Sequence, residues 1–224
     1  MTGYDAPTVD ATGRRPLWIR SAVVMAVIIA TLYVVEAIDT AMNNRLDADG
    51  IVSRDADGLV GIVFSPFLHY GFAHLTSNAV PGAVLVFLLL LARRFAIATA
   101  VVWIVSGVGV WLFGPTGAIT IGASGIIFGW LAFLLVRGLF NRSPLQILLG
   151  VLLFLVYGSV LLGVLPNNNG VSWQAHLFGA IGGVLAASLL AGRDRRSRQR
   201  DPAAASTQLF GQNPTTSPRG TLPR

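Results

Sequence analysis

The sequence predicts an all-α polytopic membrane protein, a bundle of six transmembrane helices. Three observations carry this. Of the 224 residues, 54% are hydrophobic and 12% are charged, more apolar surface than a soluble domain of this size can cover. Six apolar stretches follow one another at 18–41, 73–92, 95–113, 123–140, 144–165 and 173–191, and each is close to the about 20 residues a helix needs to cross the hydrocarbon core. Basic residues mark every second boundary between them. The stretches are too long for membrane strands and do not alternate as strands do.

Taken in order, residues 1–16 are polar, with Pro and Gly, and are expected to form a disordered cytoplasmic N-terminus. The first apolar run, around and beyond Arg20, is too long for a signal-peptide core and lacks a clear cleavage site, so it reads as a retained first helix. Arg93-Arg94, Gly114-Pro115, Arg142-Ser143-Pro144, and Pro166 with three following Asn separate the later runs. Pro144 suits the first turn of a helix, where its missing N–H costs nothing. The membrane domain thus spans 17–192. Residues 193–224 are Arg-rich, then rich in Pro, Ser and Thr, and are expected to be a disordered cytoplasmic extension.

Charge sets the orientation. Arg14, Arg15 and Arg20 lie before or at the start of the first span. Arg93 and Arg94 follow the second, Arg137 and Arg142 the fourth, and five arginines from Arg193 to Arg200 the sixth. The alternate connections carry Asp47, Asp49, Asp55 and Asp57, with only Arg45 and Arg54 as basic residues. The positive-inside rule then puts both termini in the cytoplasm of a cell membrane. All sixteen basic residues are Arg and the net charge is +6, but their placement fits topology and anionic lipid rather than nucleic acid. The chain has no cysteine, which excludes disulfides, thiolate nucleophiles and Cys-ligated metals.

Polar side chains at membrane depth are costly and point to function. The three histidines, His69, His74 and His176, all fall near the outer face. Asn78 lies one turn below His74, and Ser124 sits at the outer start of the fourth span within Gly122-Ala123-Ser124-Gly125. Gly122 and Gly125 let a substrate approach the backbone, and a helix N-terminus offers N–H groups to a developing oxyanion. His176 is a natural base for Ser124. Gly125 and Gly129 on the fourth span, with Gly179 and Gly183 on the sixth, make small-residue faces that predict close packing of the two helices. His74 and Asn78 share a helical face and can both donate to an oxyanion. His69 and His74, five apart, would stand roughly 140° apart round a helix, which argues against a helical two-His metal site. Glu36 and Asp39 are expected at the interface, and nothing in the sequence links them to His176.

The segment Ser65–Asn78 resembles the second-helix entry of the rhomboid proteases. Gly122-Ala123-Ser124-Gly125 is similar to the family's GxSG nucleophile motif. Ala175-His176-Leu177-Phe178-Gly179 with Gly183 resembles its AHxxGxxxG motif. The resemblance covers about residues 20–190. It implies a Ser124–His176 dyad without an acid, an oxyanion hole of His74, Asn78 and the Ser124 N–H, and a mainly structural His69. It further implies cleavage of single-span membrane-protein substrates near the outer face, without metal or cofactor. Phe128 stands where the family often has a Tyr packed on the histidine, and Val60-Gly61 where its first outer loop often has Trp-Arg. A catalytically inactive relative that binds transmembrane helices is the alternative. A transporter is disfavoured by the lack of internal repeats.

Overall fold

The computed structural model describes residues 15–166 and 170–200, from 192 onward as backbone alone. The helices are α1 (Leu17–Ala41), the short α2 (Gly61–Phe64), α3 (Phe72–Leu91), α4 (Phe95–Phe113), α5 (Ser124–Asn141), α6 (Pro144–Tyr157) and α7 (Trp173–Arg200). A 3₁₀ segment, Gly158–Val164, continues α6. Among the described residues six helices are long and apolar enough to cross a membrane, the fifth being α6 with its 3₁₀ end. The bounds of their apolar spans lie within a residue of the stretches read from the sequence. Pro144 occupies the first turn of α6, as expected.

Two expectations need correction. The last helix does not stop at 192 but continues to Arg200. The residues beyond the apolar run are Arg, Asp, Ser and Gln, and Arg and Gln hold a helix well without a membrane around it. Of the segments 1–16 and 193–224 expected to be disordered, residues 1–14 and 201–224 lie outside the described residues, as do the three Asn after Pro166. Arg137 is not in the connection between the fourth and fifth spans. It is buried in α5, with its guanidinium 5.5 Å from the centre of the Phe133 ring.

The bundle is centred on α5. Of its span 72% is buried, against 11% for the fifth span, so α5 is the axis and the fifth span lies at the periphery. Leu131, Phe133 and Leu134 of α5 pack with Leu85 and Leu89 of α3, Val102 of α4 and Ala186 and Leu190 of α7. The α5–α7 seam is made by glycine. A Cβ at Gly179 would meet the Gly125 carbonyl, and one at Gly183 would meet the Gly129 carbonyl. In lipid, where no hydrophobic force pushes helices together, such backbone contact drives association.

The connection between α1 and α3 is ordered without the Trp-Arg pair. β1 (Ile51–Val52) pairs antiparallel with β2 (Ile119–Thr120), Ile51 opposite Thr120 and Val52 opposite Ile119. The Trp103 and Trp111 indoles of α4 donate to the Ile62 and Asp55 carbonyls, and Ser53 Oγ donates to Val110 O at 3.1 Å. Arg54 reaches the Leu112 carbonyl at 3.2 Å and the Thr116 hydroxyl at 3.1 Å. The loop thus takes its anchors from α4 and the connection after it.

Candidate active site

Ser124 is the first residue of α5. The helix can begin there because Gly122, at φ +116, turns the chain through a region closed to most side chains. Ala123 then starts the helix, its carbonyl accepting the Ile127 N–H at 3.1 Å. A first-turn N–H has no acceptor within its own helix and lies at the positive end of the helix dipole. Ser124 is half-buried and borders a cavity of about 600 Å³ together with Tyr70, His74, Gly122 and Trp173.

His176 lies in the first turn of α7, 5% exposed. Its Nε2 is 3.0 Å from Ser124 Oγ, and its Nδ1 is 3.0 Å from the Gly163 carbonyl oxygen. A carbonyl can only accept. Nδ1 therefore carries the proton, and Nε2 of the neutral ring accepts from the serine hydroxyl. Phe128, one turn along α5 from Ser124, stacks on the imidazole with ring centres 3.9 Å apart and planes inclined by 4°. The aromatic contact expected of a Tyr is thus made by Phe.

His74 and Asn78 face the same space from α3. The Tyr70 N–H donates to His74 Nδ1 at 3.2 Å, which leaves the proton on Nε2. A Cβ placed on Gly122 would stand 2.9 Å from His74 Cε1, 3.1 Å from its Nε2 and 3.9 Å from Asn78 Nδ2. The two side chains therefore converge above Gly122, two residues before the serine. Asn78 Nδ2 also donates to the His74 carbonyl at 3.2 Å, which fixes its amide against its own helix.

His69 differs from the expectation built on helical spacing. α3 starts only at Phe72, so the angle round a helix does not apply. Gly71, at φ +89, turns the chain, and the His69 and His74 rings meet edge to face with centres 5.1 Å apart. The Ala123 N–H donates to His69 Nε2 at 3.4 Å, tying this ring to the turn that precedes Ser124. Burial, and then the neighbouring His74, push the His69 imidazole down to about 4. It is neutral near pH 7 and keeps its acceptor. Among the described residues no group of three or more His, Asp or Glu side chains could hold a metal ion.

Glu36 and Asp39 are buried among protein side chains. Each is 1% exposed, and Asp39 Oδ1 accepts the Leu46 N–H at 2.7 Å. Asp39 thus joins α1 to the start of the connection that follows it. The group on the far side of the His176 ring is the Gly163 carbonyl, and Tyr70 sits beside His74. Neither stood out in the sequence: Gly163 is one small residue in an apolar run, and a backbone acceptor leaves no signature in residue type.

Residues 56–193 match the family model described as the Rhomboid domain. An uncharacterized protein of Mycobacterium tuberculosis is 45% identical over 214 residues, covering 91% of this chain and 89% of the relative. An uncharacterized Mycobacterium leprae protein is 47% identical over 208 residues, covering 88% and 81%. A Bacillus subtilis protein named "Putative rhomboid protease YdcA" is 30% identical over 139 residues, covering 58% and 66%. No solved structure gives a significant match. With the domain match extending over more than half of a chain that carries six membrane-crossing helices, the protein belongs to the rhomboid family of intramembrane proteases.

Proposed function

We propose that the chain is a serine endopeptidase that cuts transmembrane helices of single-span membrane proteins near the outer face of the cell membrane. The observation that carries this is the 3.0 Å contact between Ser124 Oγ and His176 Nε2 at the edge of a cavity. A serine hydroxyl is a weak nucleophile until a base stands within hydrogen-bond reach. Ser124 Oγ attacks the scissile carbonyl carbon and its proton passes to His176 Nε2. The oxyanion forms toward the Ser124 N–H, His74 Nε2–H and the Asn78 amide, donors fixed before substrate arrives. The imidazolium returns the proton to the leaving amine. Water then attacks the acyl-enzyme, with the same nitrogen as base.

His69 and Phe128 position the machinery: one holds the turn before Ser124, the other holds the plane of the base. Gly125, Gly129, Gly179 and Gly183 bring α5 and α7 close enough for the two side chains to touch. Ser124 opens α5, whereas Arg142 follows its other end. The positive-inside rule puts that basic end, and both termini, in the cytoplasm, so the serine is at the outer face. The test is cleavage of a reporter transmembrane substrate by purified protein in liposomes. Ser124→Ala and His176→Ala each abolish cleavage while expression stays normal. Persistent cleavage in either variant rules out the dyad, and a wild type that binds the reporter without cutting it marks an inactive helix-binding relative.

A further inference from the structure

The geometry points to the Gly163 backbone carbonyl as the group that positions the base, in the place a carboxylate holds in a three-residue triad. This rests on the Ser124–His176 reading and adds its missing third partner. The Gly163 oxygen is 3.0 Å from His176 Nδ1. A ring that hands its proton to and from Nε2 must keep the other proton on Nδ1, and it needs an acceptor there to hold the tautomer and orientation. Neither buried carboxylate of the first span, Glu36 or Asp39, is the partner of this nitrogen, which faces the Gly163 oxygen instead.

The carbonyl is available because of how the fifth span ends. The α-helix stops at Tyr157, and Gly158–Val164 continues as a 3₁₀ segment, long for that geometry. The Leu165 N–H closes back on Leu162 at 3.1 Å. At the end of such a helix the last carbonyls lack intrahelical donors, and the negative end of the helix dipole faces the ring. An acceptor there favours the imidazolium that forms when Ser124 gives up its proton. The residue must also be small. A Cβ at position 163 would stand 3.0 Å from His176 Nδ1 and 2.9 Å from Phe128 Cζ, pushing on both stacked rings. The acceptor thus rides on the least enclosed span, with Leu162 and Leu165 exposed on either side of it. The orientation of the base depends on where that span end sits.

A backbone acceptor is tested by changing the backbone. Incorporating the α-hydroxy analogue of valine at position 164 of the full-length protein turns the Gly163 carbonyl from amide to ester. This weakens it as an acceptor and leaves every side chain in place. The same replacement at position 165 removes the Leu165 N–H and leaves the Gly163 carbonyl an amide. For the ester at 164, kcat against the reporter substrate falls about tenfold, the scale of a weakened hydrogen bond to a charged group. KM holds, and the acidic limb of the pH–rate profile moves to lower pH. The ester at 165 keeps the wild-type profile. An unchanged profile at 164, or equal losses at 164 and 165, overturns the assignment. A second readout needs no turnover. The ¹⁵N spectrum of histidine-labelled protein shows His176 protonated at Nδ1 in the wild type, with that resonance shifted by the ester at 164. A wild-type ring protonated at Nε2 overturns the assignment. If the wild type neither cleaves nor reacts with a fluorophosphonate, the protease reading fails by itself and the nitrogen spectrum still decides the contact.

Discussion

At residue scale the site depends on one position that has no side chain. Gly122 turns the chain at φ +116 and leaves open the space in which His74 and Asn78 converge. Gly122→Ala strains the turn and puts a methyl group against His74, in the space of the proposed oxyanion hole. The expected outcome is a loss of kcat of about a hundredfold, the scale of a lost oxyanion donor, with KM little changed. Steady-state kinetics on the reporter substrate check it, and an equal rise in KM would mean that the methyl blocks substrate binding instead. The sequence made Gly122, Ser124, His74, Asn78 and His176 visible, because residue type and spacing carry their chemistry. It hid the tautomers. Those are set by the Gly163 carbonyl and the Tyr70 N–H, and backbone groups are the same in every residue.

At the scale of elements, the contact between Ser124 and His176 is made by two helices meeting backbone to backbone. Gly179 has no room for a methyl, because a Cβ there runs into the Gly125 carbonyl. Gly179→Ala should destabilise the bundle by about 1–3 kcal/mol, the usual cost of overpacking, and lower activity in parallel. Thermal unfolding in detergent measures this, and an unchanged midpoint would contradict the seam. The connection between α1 and α3 has its own titration. Burial, and then the neighbouring Asp39 and Glu36, raise Asp47 in the 3₁₀ turn Leu46–Asp49 from 3.8 to about 6. The fold prefers its protonated form. The stability it contributes is complete below about 3.8 and is lost as pH rises through about 6. The thermal midpoint should therefore decline between pH 4 and 7 as ordered by this group, and Asp47→Asn should flatten the decline. An identical slope in the variant would remove Asp47 as its cause. The span limits were legible because hydropathy runs and Pro144 mark them. The β1–β2 pair was not, since its strands are distant in sequence, and nor was the 3₁₀ end of the fifth span, which lies within the same apolar run as α6.

For the whole molecule, topology decides what the site can reach. The charge bias predicts that both termini lie in the cytoplasm. The absence of cysteine makes this direct to check. Thr116→Cys, in the connection before Ser124, should react with a membrane-impermeant maleimide on intact cells. Ala203→Cys should react only after lysis, and the reverse pattern would turn the molecule over and put the site on the cytoplasmic side. The bundle as a whole was readable because six runs and their arginines agree with one another. The sequence did not show that α5 would be its axis and the fifth span its periphery, because burial between helices is a property of packing rather than of hydropathy. The central claim is that Ser124 is a nucleophile activated by His176. The most direct measurement is intact-protein mass spectrometry after treatment with a fluorophosphonate. The account predicts a single phosphonyl adduct on Ser124 in the wild type, absent from Ser124→Ala and strongly slowed in His176→Ala. An adduct that persists in Ser124→Ala, or that forms at the wild-type rate in His176→Ala, would contradict it.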